Sequence, residues 1–140
     1  MIKDMMKEMT EETTRVLVVE DEPDIRELLV DILENAGFEV SQATDGGTAL
    51  EKVCDYPPDI ILLDVAMPVM DGFQVLERLQ GEPATRSIPV IMVTAKGHQQ
   101  DVTKARASGA WGYVTKPWEA EEIESKVTAA ETFVRRHRAP

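Results

Sequence analysis

Ile60-Ile61-Leu62-Leu63-Asp64 decides the reading of this chain: four large apolar residues in a row end on an acid. Pro57, Pro58 and Asp59 precede the run and Pro68 follows it. A short run so bounded reads as a strand buried on both faces, the kind found in parallel sheets covered by helices. The carboxylate that ends it then lies at the carboxyl edge of the sheet, where open α/β folds bind ligands. Asp64 is accordingly the first candidate for chemistry. The bland alternative is an acid that caps a strand–loop junction.

Upstream, Arg15-Val16-Leu17-Val18-Val19 is a second apolar strand, ending on Glu20-Asp21. From Pro23, apolar residues fall at Ile25, Leu28, Leu29, Ile32, Leu33 and Ala36, which is helical spacing, and Gly37 suits a left-handed stop. Phe38 to Ala43 is a less apolar strand, expected at a sheet edge. Asp45 can cap a second helix with Ala49, Leu50, Val53 and Cys54 as its inner face, Cys54 being read as a small core residue.

Downstream of the central strand, Asp71 can cap a third helix that faces Phe73, Leu76 and Leu79 inward. A loop follows from Gly81 to Ser87. Ile88 to Val93 is the next strand and ends on Thr94-Ala95. Residues 97–108 predict a poor helix with only Val102, Ala105 and Ala107 to bury, stopped by Gly109. Trp111 to Thr115 is the fifth strand, ending on Lys116-Pro117. A last helix runs from about Glu119 to His137, with Ile123, Val127, Ala130 and Val134 on one face and Phe133 beside it. Strand and helix alternate five times. The expected class is α/β, a parallel five-stranded sheet with five helices on its two faces and right-handed crossovers.

The chain has 140 residues, enough for one well-filled core, and a net charge of -11 that argues against direct nucleic-acid binding. No run is long enough for a membrane span, and the first residues lack the shape of a signal peptide, so the expected compartment is the cytoplasm. Residues 1–14 read as a polar, aperiodic mobile tail, residues 15–137 as the folded domain and residues 138–140 as a C-terminal end. Arg135, Arg136 and Arg138 make a basic tip, read as solvated, as are His98 and His137. Met1, Met5, Met6, Met9 and Met67 are read as forming no stripe.

Strands of a parallel sheet end on one edge, so Glu20, Asp21, Asp64, Thr94 and Lys116 should converge. Three carboxylates together repel, and one would take up a proton without help. A divalent cation and the Lys116 ammonium balance them. Oxygen ligands with positions left for water or phosphate suit Mg²⁺. Asp64 would be the nucleophile that accepts a phosphoryl group, with the metal and Lys116 neutralising charge on the transferred oxygens and Thr94 donating a hydrogen bond.

In this order and spacing the motifs are specific. They are Glu20-Asp21 after Val-Leu-Val-Val, Asp64 in Leu-Leu-Asp-Val-Ala-Met-Pro-Val-Met-Asp-Gly, Thr94-Ala95 after Val-Ile-Met-Val, and Lys116-Pro117 after Gly-Tyr-Val-Thr. From about Arg15 to Arg135 the sequence resembles the receiver domain of bacterial response regulators, the phospho-acceptor half of two-component signalling. The resemblance implies a flavodoxin-like sheet of order 2-1-3-4-5, a histidine kinase or phosphotransfer protein as donor, Mg²⁺, and a cis Lys116-Pro117 peptide. It adds the Ala66 backbone carbonyl as a further metal ligand and makes Tyr113 the aromatic switch. Ala66 and Lys96 would tune the lifetime of the phosphoryl group. A signalling switch with only weak self-catalysed phosphotransfer is expected, not an enzyme proper. A haloacid-dehalogenase-like phosphatase would need an acid where Ala66 stands. The runner-up is a pseudo-receiver that is never phosphorylated. No output domain is legible, so the expectation is either a stand-alone receiver acting through a partner or a segment of a longer regulator.

Overall fold

The computed structural model describes residues 13–95 and 99–138. Residues 1–12, which make up most of the predicted tail, lie outside that range, as do Lys96 and His98. In chain order the elements are β1 (Arg15–Val19), α1 (Pro23–Asn35), β2 (Glu39–Ala43), α2 (Gly46–Asp55), β3 (Ile60–Asp64), α3 (Gly72–Gly81), β4 (Val90–Thr94), α4 (Gln99–Ala107), β5 (Gly112–Thr115) and α5 (Ala120–Arg138). The strands form one sheet of order β2-β1-β3-β4-β5, and every neighbouring pair is parallel. This is the receiver architecture with five helices, as expected.

The central strand is the most deeply placed, with all five residues of β3 buried, as are all five of β4. Their side chains divide between two cores. Ile61, Leu63, Val90 and Met92 pack with Val53, Leu76 and Leu79 on one face. Ile60, Leu62, Ile91 and Val93 pack with Leu29, Leu33, Ile123 and Val127 on the other. That two-sided burial is why these strands are unbroken apolar runs, while the edge strand β2 buries only Ala43 fully.

Local signals set the element ends. Asp45 and Asp71 accept backbone N–H bonds from Thr48 and Gln74, and Gln74 returns a bond to the Asp71 N–H, closing a capping box. Gly37 has φ +96°, and the Gly37 and Phe38 N–H groups bond back to Glu34 and Leu33. Phe38 therefore closes the end of α1 and packs beside Leu33 in the core, instead of opening the strand. β4 begins at Val90 and not at Ile88, since Pro89 has no N–H to donate to a neighbour. The Lys116-Pro117 peptide is cis.

Three expectations need correction. Cys54 is exposed: α2 buries Gly46, Ala49 and Val53, and the next residue lies about 100° further round the helix. Ala107 also faces solvent, leaving α4 only Val102 and Ala105 to bury. Thr14 belongs to the fold and not to a tail. It is 7% exposed, its hydroxyl meets Glu131 at 2.5 Å, and its carbonyl accepts the Glu39 N–H at 3.0 Å.

Candidate functional site

The carboxyl edge of the sheet gathers the predicted residues. β1 delivers Glu20 and Asp21, β3 delivers Asp64, β4 Thr94, and β5 Lys116 just past its end. Carboxylate oxygens of Glu20, Asp21 and Asp64 all lie within 4.8 Å of one another. The Lys116 Nζ stands 3.5 Å from Asp64 Oδ1 and 3.8 Å from Glu20 Oε1. Glu20, Asp64 and Thr94 are buried, at 1%, 3% and 1% exposure. Buried polar groups are ordinarily paired, yet Glu20 Oε1 and Thr94 Oγ1 have no hydrogen-bond partner.

The electrostatics follow from that crowding. Burial, with the Asp64 charge adding to it, pushes the Glu20 carboxyl up to about 7, against the bond from the Glu22 N–H and the attraction of Lys116. Burial likewise raises Asp64, while Lys116 and the Ala66 N–H, 3.4 Å from Asp64 Oδ1, pull it down. A single ammonium does not compensate three carboxylates in a low-dielectric site. The donor set fits a small hard dication: three carboxylates supply oxygen, and Glu20 has an oxygen left over for it.

The remaining candidates are placed as follows. Ala66 lies exposed in the loop after β3. Tyr113 is half-buried on β5 and packs partly against the β3–α3 core, and its hydroxyl accepts a 3.0 Å hydrogen bond from Arg106 Nη2 on α4. Trp118 packs against the opposite core.

Three residues were not singled out by sequence. Arg26 on α1 donates from Nη1 to the Glu20 and Asp21 carbonyls at 2.9 and 3.4 Å and so holds the acidic turn. Gly72 lets α3 start against the end of β3, since a Cβ there would stand 2.4 Å from the Asp64 carbonyl oxygen. Arg106 anchors Tyr113. Arg26 lies one turn inside a helix that opens directly after the acid pair, a spacing that could have pointed to it. Arg106 had no such signal, because its partner is on another element.

Comparison with known proteins agrees with this geometry. Residues 16–128 match the response regulator receiver domain family, and the chain belongs to that family. It is 42% identical over 115 residues to the DNA-binding dual master transcriptional regulator RpaA of Synechocystis sp., covering 82% of this chain and 48% of that protein. It is 40% identical over 115 residues to the phosphate regulon transcriptional regulatory protein PhoB of Escherichia coli, covering 82% and 50%. The chain thus spans about half the length of these relatives. Among solved structures, the chemotaxis protein CheY4 of Vibrio cholerae superposes with a TM-score of 0.80 at 31% identity, covering 85% of this chain and 99% of that one. Receiver domains are signalling switches that work with kinases and output domains. Among the described residues, no helix is long and apolar enough to cross a membrane.

Proposed function

We propose that this chain accepts a phosphoryl group on Asp64 from a histidine kinase or phosphotransfer protein and passes the signal through the face formed by α4, β5 and α5. The observation that carries the reading is the packing of Glu20, Asp21 and Asp64 within 4.8 Å, beside Lys116 and an unpartnered Thr94 hydroxyl. An Asp64 oxygen attacks the donor's phosphorus, and the donor's phosphorylated nitrogen leaves with the electron pair. Lys116 sits where it neutralises charge on the transferred oxygens, and Thr94 has an O–H bond to give them. Glu20, Asp21, Asp64 and the Ala66 carbonyl would hold Mg²⁺, which shields the incoming anion from the acids. With a kinase catalytic domain as donor, the working compartment is the cytoplasm.

A phosphoryl group adds about -1.5 to -2 charges at one point. It draws Thr94 inward, and Tyr113, the proposed switch residue, turns into the space left. Ala66 and Lys96 are the proposed lifetime-tuning positions. The partner is a protein or an output domain, with no direct contact to nucleic acid from this domain. A never-phosphorylated interaction module would not need the paired acids, the lysine and the orphaned hydroxyl at one edge. Incubation with phosphoramidate and Mg²⁺ should add one phosphoryl mass, labile to base, and Asp64→Asn should add none there. Absence of an adduct on the parent protein, under conditions that label CheY4, would return the weight to the pseudo-receiver.

A further inference from the structure

The three acids of the site are not held equally. Asp64 is the last residue of β3 and is 3% exposed. Glu20 is 1% exposed, its N–H donates to the Ala43 carbonyl at 3.1 Å, and its Oε2 accepts the Glu22 N–H at 3.1 Å. Asp21 lies beyond β1, past the paired register of the sheet, and is half-buried. A carboxylate in that position needs another means of being aimed.

Arg26 on α1 supplies it. Its Nη1 donates to the Glu20 carbonyl at 2.9 Å and to the Asp21 carbonyl at 3.4 Å. Those two carbonyls belong to the peptide planes on either side of the Asp21 Cα. Planar peptides leave only φ and ψ free between them, so holding both oxygens fixes the direction in which the Asp21 side chain leaves the backbone. The guanidinium is itself braced. Its Nε donates to Gln42 Oε1 on β2 at 3.2 Å, and the Gln42 carbonyl accepts from Lys52 Nζ on α2. The start of α1 has no side-chain cap, so this clamp, and not a capping side chain, ties the acidic turn to the helix. Among the described residues Arg26 forms no ion pair. Its charge rests on neutral carbonyl and amide oxygens, and the carboxylates beside it stay open to a cation. A rigid planar fork of donors can span three acceptors in this way, whereas an ammonium on a flexible stem is a point charge.

We propose that Arg26 is a positioning residue for the metal: it aims the Asp21 carboxylate, with Gln42 as its brace, and so sets the preference of the site for Mg²⁺ over Ca²⁺. The inference rests on the reading that Glu20, Asp21 and Asp64 hold Mg²⁺. Mg²⁺ demands near-ideal octahedral geometry, while Ca²⁺ accepts a flexible one. A loosened Asp21 therefore costs Mg²⁺ more than Ca²⁺. A merely structural loss would weaken both metals alike. A purely electrostatic role has the opposite sign, because removing a nearby positive charge tightens both cations.

The test is calorimetric titration of the full chain with Mg²⁺ and, separately, with Ca²⁺, at one pH and ionic strength. Arg26→Gln and Arg26→Lys should each weaken Mg²⁺ about tenfold, the low end for groups that orient a metal's ligands, and Ca²⁺ less than about threefold. Gln42→Leu should weaken Mg²⁺ about two- to threefold, and adding it to Arg26→Gln should cost nothing further, since the clamp is already lost. Unchanged or tighter Mg²⁺ binding by Arg26→Gln, parent-like binding by Arg26→Lys, or equal loss of the two metals overturns the proposal and leaves the metal site standing. Gln42→Leu alters an exposed residue, so if the Arg26 variants do not fold, its parent-like Mg²⁺ affinity overturns the proposal instead. No Mg²⁺ binding by the parent chain overturns the metal site as well.

Discussion

Helices α3 and α4 are nearly equal in length, ten and nine residues, and differ in how they are held. α3 buries Gly72, Phe73, Val75, Leu76 and Leu79 and opens with a capping box. α4 buries Val102 and Ala105 alone. Gly72 sets the start of α3 against the Asp64 carbonyl, whereas α4 reaches the rest of the molecule partly through an exposed Arg106–Tyr113 bond. The α3 side is built as a fixed frame, and α4 as an element with little apolar surface to lose. Segments of that second kind open at lower free energy.

The largest expected effect tests that contrast directly. Leu76→Ala should cost about 2–5 kcal/mol by urea denaturation, the range for a fully buried leucine. Val102→Ala removes two carbons from a thinner layer and should cost roughly 1–2 kcal/mol. Equal costs would break the comparison.

The frame also stores the electrostatic load. Glu20 has a folded pKa of about 7 against an ordinary 4.5. Between those values the folded chain keeps a proton that the unfolded chain has released. Stability from this group therefore falls as pH rises from 4.5 to 7 and is level above. Discounting for water that reaches the site, the metal-free protein should lose roughly 2 kcal/mol by this route between pH 5 and 8. Glu20→Gln should flatten that slope. Mg²⁺ should raise the Tm more at pH 8 than at pH 5, because a carboxylate must be ionised to bind it. A magnesium effect independent of pH would remove Glu20 from the metal's ligands.

On the α4 side, beryllofluoride with Mg²⁺ should change hydrogen exchange across residues 94–118 several-fold and leave α3 nearly unchanged. Thr94→Ala should still accept a phosphoryl group and lose most of that response. Identical protection with and without the mimic would reduce the domain to a relay of phosphate. The smallest effect is at Arg106. Arg106→Ala should shift stability by under about 0.5 kcal/mol, as exposed substitutions do. It should nonetheless move the unphosphorylated exchange pattern of β5 part-way toward the beryllofluoride pattern. No movement would leave Tyr113 governed by packing alone.

The alternation of strands and helices was legible because β3 and β4 are buried on both faces and so are written as unbroken apolar runs. The convergence of the candidate residues was legible for a related reason: parallel strands end on one edge, so Glu20, Asp21, Asp64, Thr94 and Lys116 had to meet. Local chemistry also carried the caps at Asp45 and Asp71 and the stop at Gly37. Periodicity alone did not settle which side of a short helix faces in, and Cys54, one step round from Val53, turned out to face solvent. Thr14 is polar and reads as tail, yet Glu131, more than a hundred residues away, draws it into the fold. A raised carboxyl pKa was expected from three converging acids, but that burial places it on Glu20, that the Thr94 hydroxyl is orphaned and that Arg106 grips Tyr113 were decided by tertiary structure alone. Each depends on what distant elements bring near a side chain, and neither desolvation nor a partner across the sheet is written in local order.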